Sequence, residues 1–233
     1  MSSPSERLPL GLMVPPVPAG HEIPPEPPDV GARALSVAAR MLCGASTFFF
    51  LAFLFAYFYL RSLNQNDFWK PSAELLKEQK EVHVSLTPSA GLGVAFVVCL
   101  LLSVALTIVA GRGMQRGSRG WVTPALLGVV LGLAAVAVQC IEYTTQHFGP
   151  TDGAYASVFC AWTGFYLIAV LCTMYWLETQ VATELRARRA PAGSEGDLED
   201  PDRLIAPGLD AAVFYWGFLG ALGVIMYVIL YLL

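Results

Sequence analysis

Five long apolar runs without ionised residues dominate the chain, and shorter polar segments separate them. The runs cover residues 41–60, 82–111, 120–141, 153–177 and 211–233. Each reaches the roughly 20 residues that a helix needs to cross a membrane. None shows the alternation of apolar and polar residues that is typical of membrane barrel strands. The pattern predicts an all-α integral membrane protein, a bundle of five transmembrane helices at about 36–61, 88–111, 121–145, 154–179 and 209–233.

The segment before the first run is polar and rich in proline. Residues 1–34 contain PPVPAGHEIPPEPPDVG, and prolines at this density are incompatible with a helix. Such a tail is either disordered or extended along a partner in polyproline II form. Because this tail precedes it and because it is longer than the apolar core of a signal peptide, the first run is interpreted as a membrane helix. We therefore predict a tail, 1–34, and a membrane domain, 35–233.

The composition of the chain also indicates a membrane protein. Hydrophobic residues make up 55% of the chain and charged residues 14%, and the mean hydropathy is +0.57. The net charge of −4 comes without a basic stripe, so no nucleic-acid partner is expected. Five cysteines lie singly in the apolar runs, where helix packing explains them better than disulfides or metal binding does. They are Cys43, Cys99, Cys140, Cys160 and Cys172.

The loop RGMQRGSRG, residues 112–120, carries three arginines and no acidic residue. Short basic loops lie on the cytoplasmic side of membranes. Alternation along the chain then places the amino-terminus in the cytoplasm, and residues 62–88, residues 146–152 and the carboxy-terminus on the outer, periplasmic side. Within 62–88 the charge spacing fits a short surface helix around 74–81, and Trp69 is predicted to be an anchor at headgroup depth.

Residues that could bind a redox cofactor are scarce. The three histidines, His21, His83 and His147, lie in the tail, a loop and the rim between helices three and four. No membrane helix therefore offers a histidine to haem or copper. Tyr227 and Tyr231, near the outer end of the last helix, are predicted to lie in an interfacial aromatic belt.

Glu142 is the acidic residue at the outer end of the third apolar run. Three roles fit it: an unpaired surface carboxylate, an ion pair with Arg61 at the same interface, or a ligand for another subunit or a lipid headgroup. Together with Tyr143, His147 and Asp152 it is expected to form a polar cluster that closes the hairpin between helices three and four. A membrane enzyme using Glu142 and His147 is a further hypothesis.

The stretch QCIEYTTQHFGPTDGAYASVFCAWTGF resembles subunit III of the haem-copper oxidases, the cytochrome c oxidase subunit 3 family. The matching positions are Gln139, Glu142, Tyr143, Asp152, Tyr155, Ser157, Phe159, Thr163 and Gly164. A second match is AYFYLR, which ends at Arg61 and is followed by Trp69 and Pro71. The likeness spans about residues 40–233 and is closest to the five-helix bacterial form of the family.

The resemblance implies a non-catalytic accessory subunit of a respiratory terminal oxidase, in aerobic electron transport. It implies no catalytic, cofactor-binding or metal-binding residue in this chain, with haems and copper in partner subunits. The expected partners are the haem-copper catalytic subunit I, other oxidase subunits, membrane phospholipids and a larger respiratory supercomplex, in a bacterial inner membrane. The alternatives are a subunit-III-like member of a nitric oxide reductase complex and an independent small membrane transporter.

Three features depart from the family's usual pattern. Ser46 stands where the family usually has an acidic residue, and Tyr166 and Ala169 stand where it has two histidines. The last helix reads FYWGFLG, residues 214–220, in place of a Trp-His-Phe-Val-Asp run. Since these changes remove titratable groups from membrane depth, we expect a scaffold and lipid-binding role rather than a role in proton uptake.

Overall fold

The computed structural model describes residues 28–64, 69, 86–189 and 201–233. Within these residues the chain forms five long helices, and each is long and apolar enough to cross a membrane. They are α1 (Pro28–Leu63), α2 (Ala90–Gln115), α3 (Val122–Thr145), α4 (Ala154–Arg189) and α5 (Pro201–Tyr227), and α5 continues as a π-helical segment, Val228–Leu232. The prediction of an all-α bundle with five membrane-length helices is confirmed for the part of the chain that the structure describes.

Helices α4 and α5 lie at the centre of the bundle. Helix α4 packs against α1, α3 and α5, and α5 packs against α1, α2 and α4. Helices α2 and α3 form a close pair, because Gly128 leaves room for Thr107: a Cβ at Gly128 would lie 2.7 Å from the Thr107 methyl carbon. Small residues of this kind allow membrane helices to approach closely.

Helix α1 is the least buried of the five. Among its described side chains only Ala39, Phe50 and Tyr57 are buried. Phe50 and Tyr57 are seven residues apart and therefore lie on one side of the helix. The opposite side of α1 is exposed among the residues that the structure describes.

The first helix begins earlier than predicted. It starts at Pro28, so the tail cannot extend to residue 34; residues 1–27 lie outside the described part of the chain. Proline is favourable in the first turn of a helix, where its missing N–H costs no hydrogen bond. The predicted boundary at residue 34 is too late because residues 29–34 contain no proline and continue the helix.

Helices α4 and α5 are also longer than predicted, at the ends where they face each other. Helix α4 continues ten residues past 179 to Arg189, and α5 begins eight residues before 209, at Pro201. The two extensions pack together: Val181 is buried, and a Cβ at Gly208 would lie 2.7 Å from the Gln180 side-chain oxygen. Packing of an amphipathic face sustains these turns beyond the fully apolar run.

Two different turns reverse the chain between membrane helices. At the end of α2 the Gly117 N–H donates to the Met114 carbonyl and the Ser118 N–H donates to the Gly113 carbonyl. Gly117 has a φ of 68°, which glycine adopts readily, and the pattern is a Schellman C-cap. The other turn, residues 146–153, joins α3 to α4, and we call this end of the bundle the hairpin end.

Candidate functional site

Glu142 is buried at the hairpin end, where it joins three helices. Its side chain is 1% exposed. One carboxylate oxygen accepts the backbone N–H of Ser89 at 3.1 Å, and the other accepts the Gln139 amide at 2.9 Å and the Tyr231 hydroxyl at 2.5 Å. Since hydrogen bonds to an ionised group are the strong ones, this carboxylate connects the start of α2, the end of α3 and the end of α5.

The predicted ion pair between Glu142 and Arg61 is wrong. The three groups that bond Glu142 are all neutral donors, whereas the Arg61 guanidinium lies 6.0 Å from the centre of the Tyr57 ring. The prediction that Trp69 anchors in headgroups is also wrong, because Trp69 is 7% exposed and its ring packs edge-on against Tyr57 and Tyr155. The surface helix predicted around 74–81 lies outside the described residues.

Local sequence explains how the donors reach Glu142. Gln139 and Glu142 are three residues apart on α3, so both side chains lie on the same face. Ser89 is the N-cap of α2, and its side chain accepts the Leu92 N–H at 3.5 Å. Because Ser89 precedes the helix, its own N–H takes no part in the helical ladder and is available to the carboxylate.

Tyr231 reaches Glu142 from the π-helical segment of α5. A π-helical turn changes the direction in which the following side chains point, and such turns are frequent at functional sites. The Tyr231 and Tyr227 rings stack with centroids 5.1 Å apart and fill the space over Gly93. A Cβ at Gly93 would lie 2.6 Å from the Tyr231 ring, so a larger residue there would displace the tyrosine.

Other residues of the motif connect α3 to α4. The hydroxyls of Tyr143 and Thr163 are hydrogen-bonded at 2.5 Å, and Thr163 also donates to the Phe159 carbonyl at 2.6 Å. Gly164 lies beside Tyr143, with 3.9 Å between the tyrosine oxygen and the position that a Cβ would take. The Tyr155 hydroxyl donates to the Leu230 carbonyl at 2.7 Å and so connects α4 to the π-helical segment.

The turn itself is held by side chains close in sequence. The Asp152 carboxylate accepts the Gly149 N–H at 2.6 Å. Ser157 donates to the carbonyls of Pro150 and Gly153, at 2.5 and 3.0 Å. These bonds fix the loop against the first turn of α4.

The predicted polar cluster is therefore only partly assembled. Glu142 faces α2 and α5, Tyr143 faces α4, and Asp152 caps the turn. The exposed His147 is the member that shares a cavity with Glu142. Successive residues of a helix point about 100° apart, which explains why Glu142 and Tyr143 contact different neighbours.

Two residues that depart from the family's usual pattern, Ser46 and Tyr166, form hydrogen bonds to helix α5. The Ser46 hydroxyl lies 2.9 Å from the Tyr215 hydroxyl, connecting α1 to α5. Tyr166, which is fully buried, donates to the Leu219 carbonyl at 2.6 Å, connecting α4 to α5. Neutral hydroxyls thus occupy positions where the resemblance implied an acid and a histidine.

A third connection joins α5 to the pair α2 and α3. The Trp216 ring N–H donates to the Ser103 hydroxyl at 3.2 Å, and Ser103 donates to the Gly128 carbonyl at 2.5 Å. Both side chains are buried. The tryptophan of FYWGFLG therefore bonds within the bundle.

The described side chains of this site form a hydrogen-bond network around one buried carboxylate. Among the residues that the structure describes, no three His, Cys, Asp or Glu side chains are close enough together to hold a metal. All five cysteines are free, and Cys140 and Cys172 are exposed on the outside of the bundle. The arrangement suits holding helices in register.

Sequence reasoning missed Ser89, Ser103, Trp216 and Tyr231. Tyr231 was assigned to an aromatic belt, but the structure turns it inward to Glu142. A signal was present, because a carboxylate inside an apolar bundle needs several donors, and a serine directly before an apolar helix supplies a free N–H. No pattern in the sequence specifies which distant tyrosine completes the set.

The sequence comparisons identify similar proteins over most of the chain. Residues 32–233 match the family described as Cytochrome c oxidase subunit III. The chain is 26% identical over 218 residues to cytochrome c oxidase subunit 3 of Formosania lacustris, covering 91% of this chain and 72% of the relative. It is 25% identical to the Rattus norvegicus protein of the same name, with the same coverage.

A bacterial relative matches over a shorter length. The probable cytochrome c oxidase subunit 3 of Rickettsia prowazekii (strain Madrid E) is 27% identical over 143 residues, which is 60% of this chain and 48% of the relative. The family match begins within α1 and extends to the last residue. It therefore covers the five helices, and most of residues 1–34 lie outside it.

Proposed function

The chain belongs to the cytochrome c oxidase subunit III family, and we propose that it supports the haem- and copper-bearing subunit I of its oxidase. It is a multi-pass membrane protein and an accessory subunit of a terminal oxidase. The observation that carries the proposed scaffold role is the burial of Glu142 between three donors from three helix ends. The motif side chains bond to one another and hold the bundle in one arrangement.

The uncovered side of α1 is the surface proposed to contact the partner. Met41, Phe48 and Phe55 are 70, 79 and 70% exposed. They recur every seven residues and lie about 200° around the helix from Phe50 and Tyr57, which pack inward. A continuous stripe of large apolar side chains on the least buried helix suits a neighbouring membrane subunit, whose own helices would bury it.

The orientation of the chain, its neighbours and its membrane are proposals as well. The basic loop 112–120 supports a cytoplasmic amino-terminus and an outer carboxy-terminus. The matched family supports other oxidase subunits as neighbours. Phospholipids held at the interface, a bacterial inner membrane and membership of a respiratory supercomplex are further parts of the proposal. In this arrangement haems and copper belong to the partners, and the Glu142 cluster lies at the outer face of the membrane.

Purification of the tagged chain from its native membrane tests the proposed role. In mild detergent we expect a haem-bearing subunit to co-purify, and we expect the separated chain to have no haem absorption band. A haem band from the chain alone, or the loss of every haem-bearing partner under conditions that keep other oxidases intact, would refute the proposal. Nitric oxide reduction by the purified complex, or solute flux through vesicles that contain only this chain, would favour the alternative functions.

A further inference from the structure

A large cavity opens between α1, α2 and α5 at the end of the bundle opposite to the hairpin end. Its volume is about 790 Å³, within the range of roughly 300–1,000 Å³ that is typical of binding sites. The face of α1 that borders the cavity carries the small side chains Ala32, Ser36 and Ala39. Gly217 of α5 also borders it, and a Cβ there would have no described atom within 4 Å. Small residues on both helices thus leave room for a further segment.

The wall that α5 contributes to the cavity is aromatic. Phe214 and Phe218 both border the cavity, and because they lie four residues apart their rings are neighbours on one face of the helix. The Phe214 side chain is 53% exposed. Grooves lined by aromatic rings recognise proline-rich segments in polyproline II form, typically through a Pro-x-x-Pro sequence. The cavity therefore has a surface of the kind on which such a segment binds.

The chain itself carries a segment of this kind. Residues 8–18 read LPLGLMVPPVP, and they include no charged, amide or hydroxyl side chain. Residues 15–18, PPVP, form a Pro-x-x-Pro sequence. Non-helical backbone at membrane depth is tolerated only where it is buried in protein, because each unsatisfied N–H is costly. Four of the eleven residues are prolines, which have no N–H, so this segment is suited to an apolar groove.

The segment is long enough and near enough to fill the cavity. The cavity extends along α5 from Ala206 to Phe218, twelve residues apart, or about 18 Å. Six residues in polyproline II form cover about the same distance. Residues 19–27 connect the segment to Pro28, the first residue of α1, and can span about 28 Å. This connector therefore exceeds the roughly 18 Å of helix between Pro28 and Arg40, which also borders the cavity.

The charges beside the cavity match those of the connector. Arg40 borders the cavity with an exposed side chain. The connector carries two acidic residues, Glu22 and Glu26, and no lysine or arginine. The acidic residue of the lining, Asp210, accepts the Gln115 amide at 3.1 Å. Attraction to Arg40 therefore favours a connector that lies over the cavity.

We propose that the cavity between α1, α2 and α5 is the docking site of the chain's own proline-rich segment, residues 8–18, with residues 15–18 on Phe214 and Phe218. The docked segment fills the space between the first turns of α1 and α5, and it holds the least buried helix against the bundle. This inference goes beyond the proposed function and does not depend on it, because it concerns one chain only.

Photo-crosslinking of the full-length chain in its native membrane tests the docking. A photoreactive benzoylphenylalanine replaces Phe214, and the cross-linked peptides are identified by mass spectrometry after irradiation and digestion. We expect the main product to join position 214 to residues 8–18 of the same chain. The same amino acid in place of Tyr175, a 69% exposed position on α4, is the control and should give no link to that segment.

Charged substitutions in the tail test the apolar character of the contact. Val14→Asp combined with Val17→Asp should lower the yield of the cross-link about tenfold or more, because burial of a carboxylate is far more costly than burial of a valine. Ser3→Asp combined with Ser5→Asp adds the same charge to the tail outside the segment and should leave the yield unchanged. All four positions lie outside the five helices, so neither pair alters the packing of the bundle.

Three results would overturn the proposal. The first is cross-linking from position 214 only to lipid or to another subunit. The second is a link between light and heavy chains when isotopically light and heavy copies are expressed together, because the segment would then come from a second copy. The third is an unchanged yield after Val14→Asp combined with Val17→Asp.

Discussion

Tyr231 donates a hydrogen bond to the Glu142 carboxylate at 2.5 Å, although the two residues are 89 positions apart in the chain. This bond joins the end of α5 to the end of α3, and the backbone of Ser89 adds the start of α2 to the same carboxylate. A buried carboxyl group with neutral donors from three helices stabilises one relative arrangement of those helices. The stability of the hairpin end should therefore depend on each donor.

Replacing Tyr231 with phenylalanine removes one donor and keeps the ring. We expect unfolding in detergent to become easier by about 1.5–3 kcal/mol, the usual size of a hydrogen bond to a charged group. Tyr227→Phe is the matched control, because Tyr227 stacks on the same ring and contributes no hydroxyl to Glu142. Equal effects of the two changes in a denaturant titration would show that the hydroxyl of Tyr231 contributes nothing specific.

Gly93→Ala should displace Tyr231 from its position beside Glu142. The new methyl would lie 2.6 Å from the Tyr231 ring and 2.9 Å from the Tyr227 ring, so both rings must shift. Overpacking of this kind costs about 1–3 kcal/mol. Gly91→Ala is the control, since its nearest neighbour would be 4.0 Å away. A melting temperature unchanged by Gly93→Ala would contradict the packing described for the tyrosines.

Arg61 and Glu142 should act independently. Exposed ion pairs have coupling energies of about 0.2–1 kcal/mol in double-mutant cycles, whereas we expect a coupling near zero between Arg61→Gln and Glu142→Gln. Glu142→Gln alone should destabilise the chain and loosen the oxidase complex in detergent, while turnover per intact complex stays near normal. A clear coupling energy would be evidence that Arg61 and Glu142 form an ion pair. Loss of proton pumping with intact assembly would indicate a catalytic role for Glu142.

Ser103→Ala should weaken the connection between α5 and the pair α2 and α3. It leaves the Trp216 ring N–H and the Gly128 carbonyl without their partner. Interhelical hydrogen bonds in membranes contribute about 0.6 kcal/mol on average and up to about 1.7, and we expect an effect at the upper end because the buried Trp216 ring N–H loses its acceptor. Thr47→Ala, which removes an exposed hydroxyl bonded only within α1, should have no measurable effect in the same unfolding assay.

The exposed stripe on α1 should matter for assembly and not for folding. We expect Phe48→Leu combined with Phe55→Leu to reduce co-purification of the haem-bearing subunit, because both rings are largely uncovered in the chain alone. The melting temperature of the separated chain should stay the same. Tyr175→Leu, at a 69% exposed aromatic position on α4, is the control. Equal recovery of the partner with all variants would exclude this stripe as the contact surface.

Several features were predictable because they depend on local sequence or on length. The five membrane helices follow from apolar runs of sufficient length, and the end of α3 agrees with the predicted residue, Thr145. The nearness of Gln139 to Glu142 follows from helical spacing. The family likeness was visible in the stretch from Gln139 to Gly164, and the family match over residues 32–233 confirms it.

Other features depended on contacts between segments far apart in the chain. Arg61 and Glu142 were both expected at the same end of the bundle, and that proximity alone suggested an ion pair. The structure instead places Arg61 over Tyr57, and the three described donors to Glu142 are neutral groups. Rotation of each helix about its axis decides such pairings, and rotation is set by packing against neighbours.

The sequence by itself thus determined the membrane class, the number of helices and the family, because hydrophobic length and short motifs are local properties. Only the tertiary structure decided that Glu142 is bonded by Ser89 and Tyr231, that Ser46 and Tyr166 bond to α5, and that a polar cavity opens beside the carboxylate. The physical reason is that a buried polar group takes whichever donors the packed helices bring to it, and helix packing involves the whole chain at once.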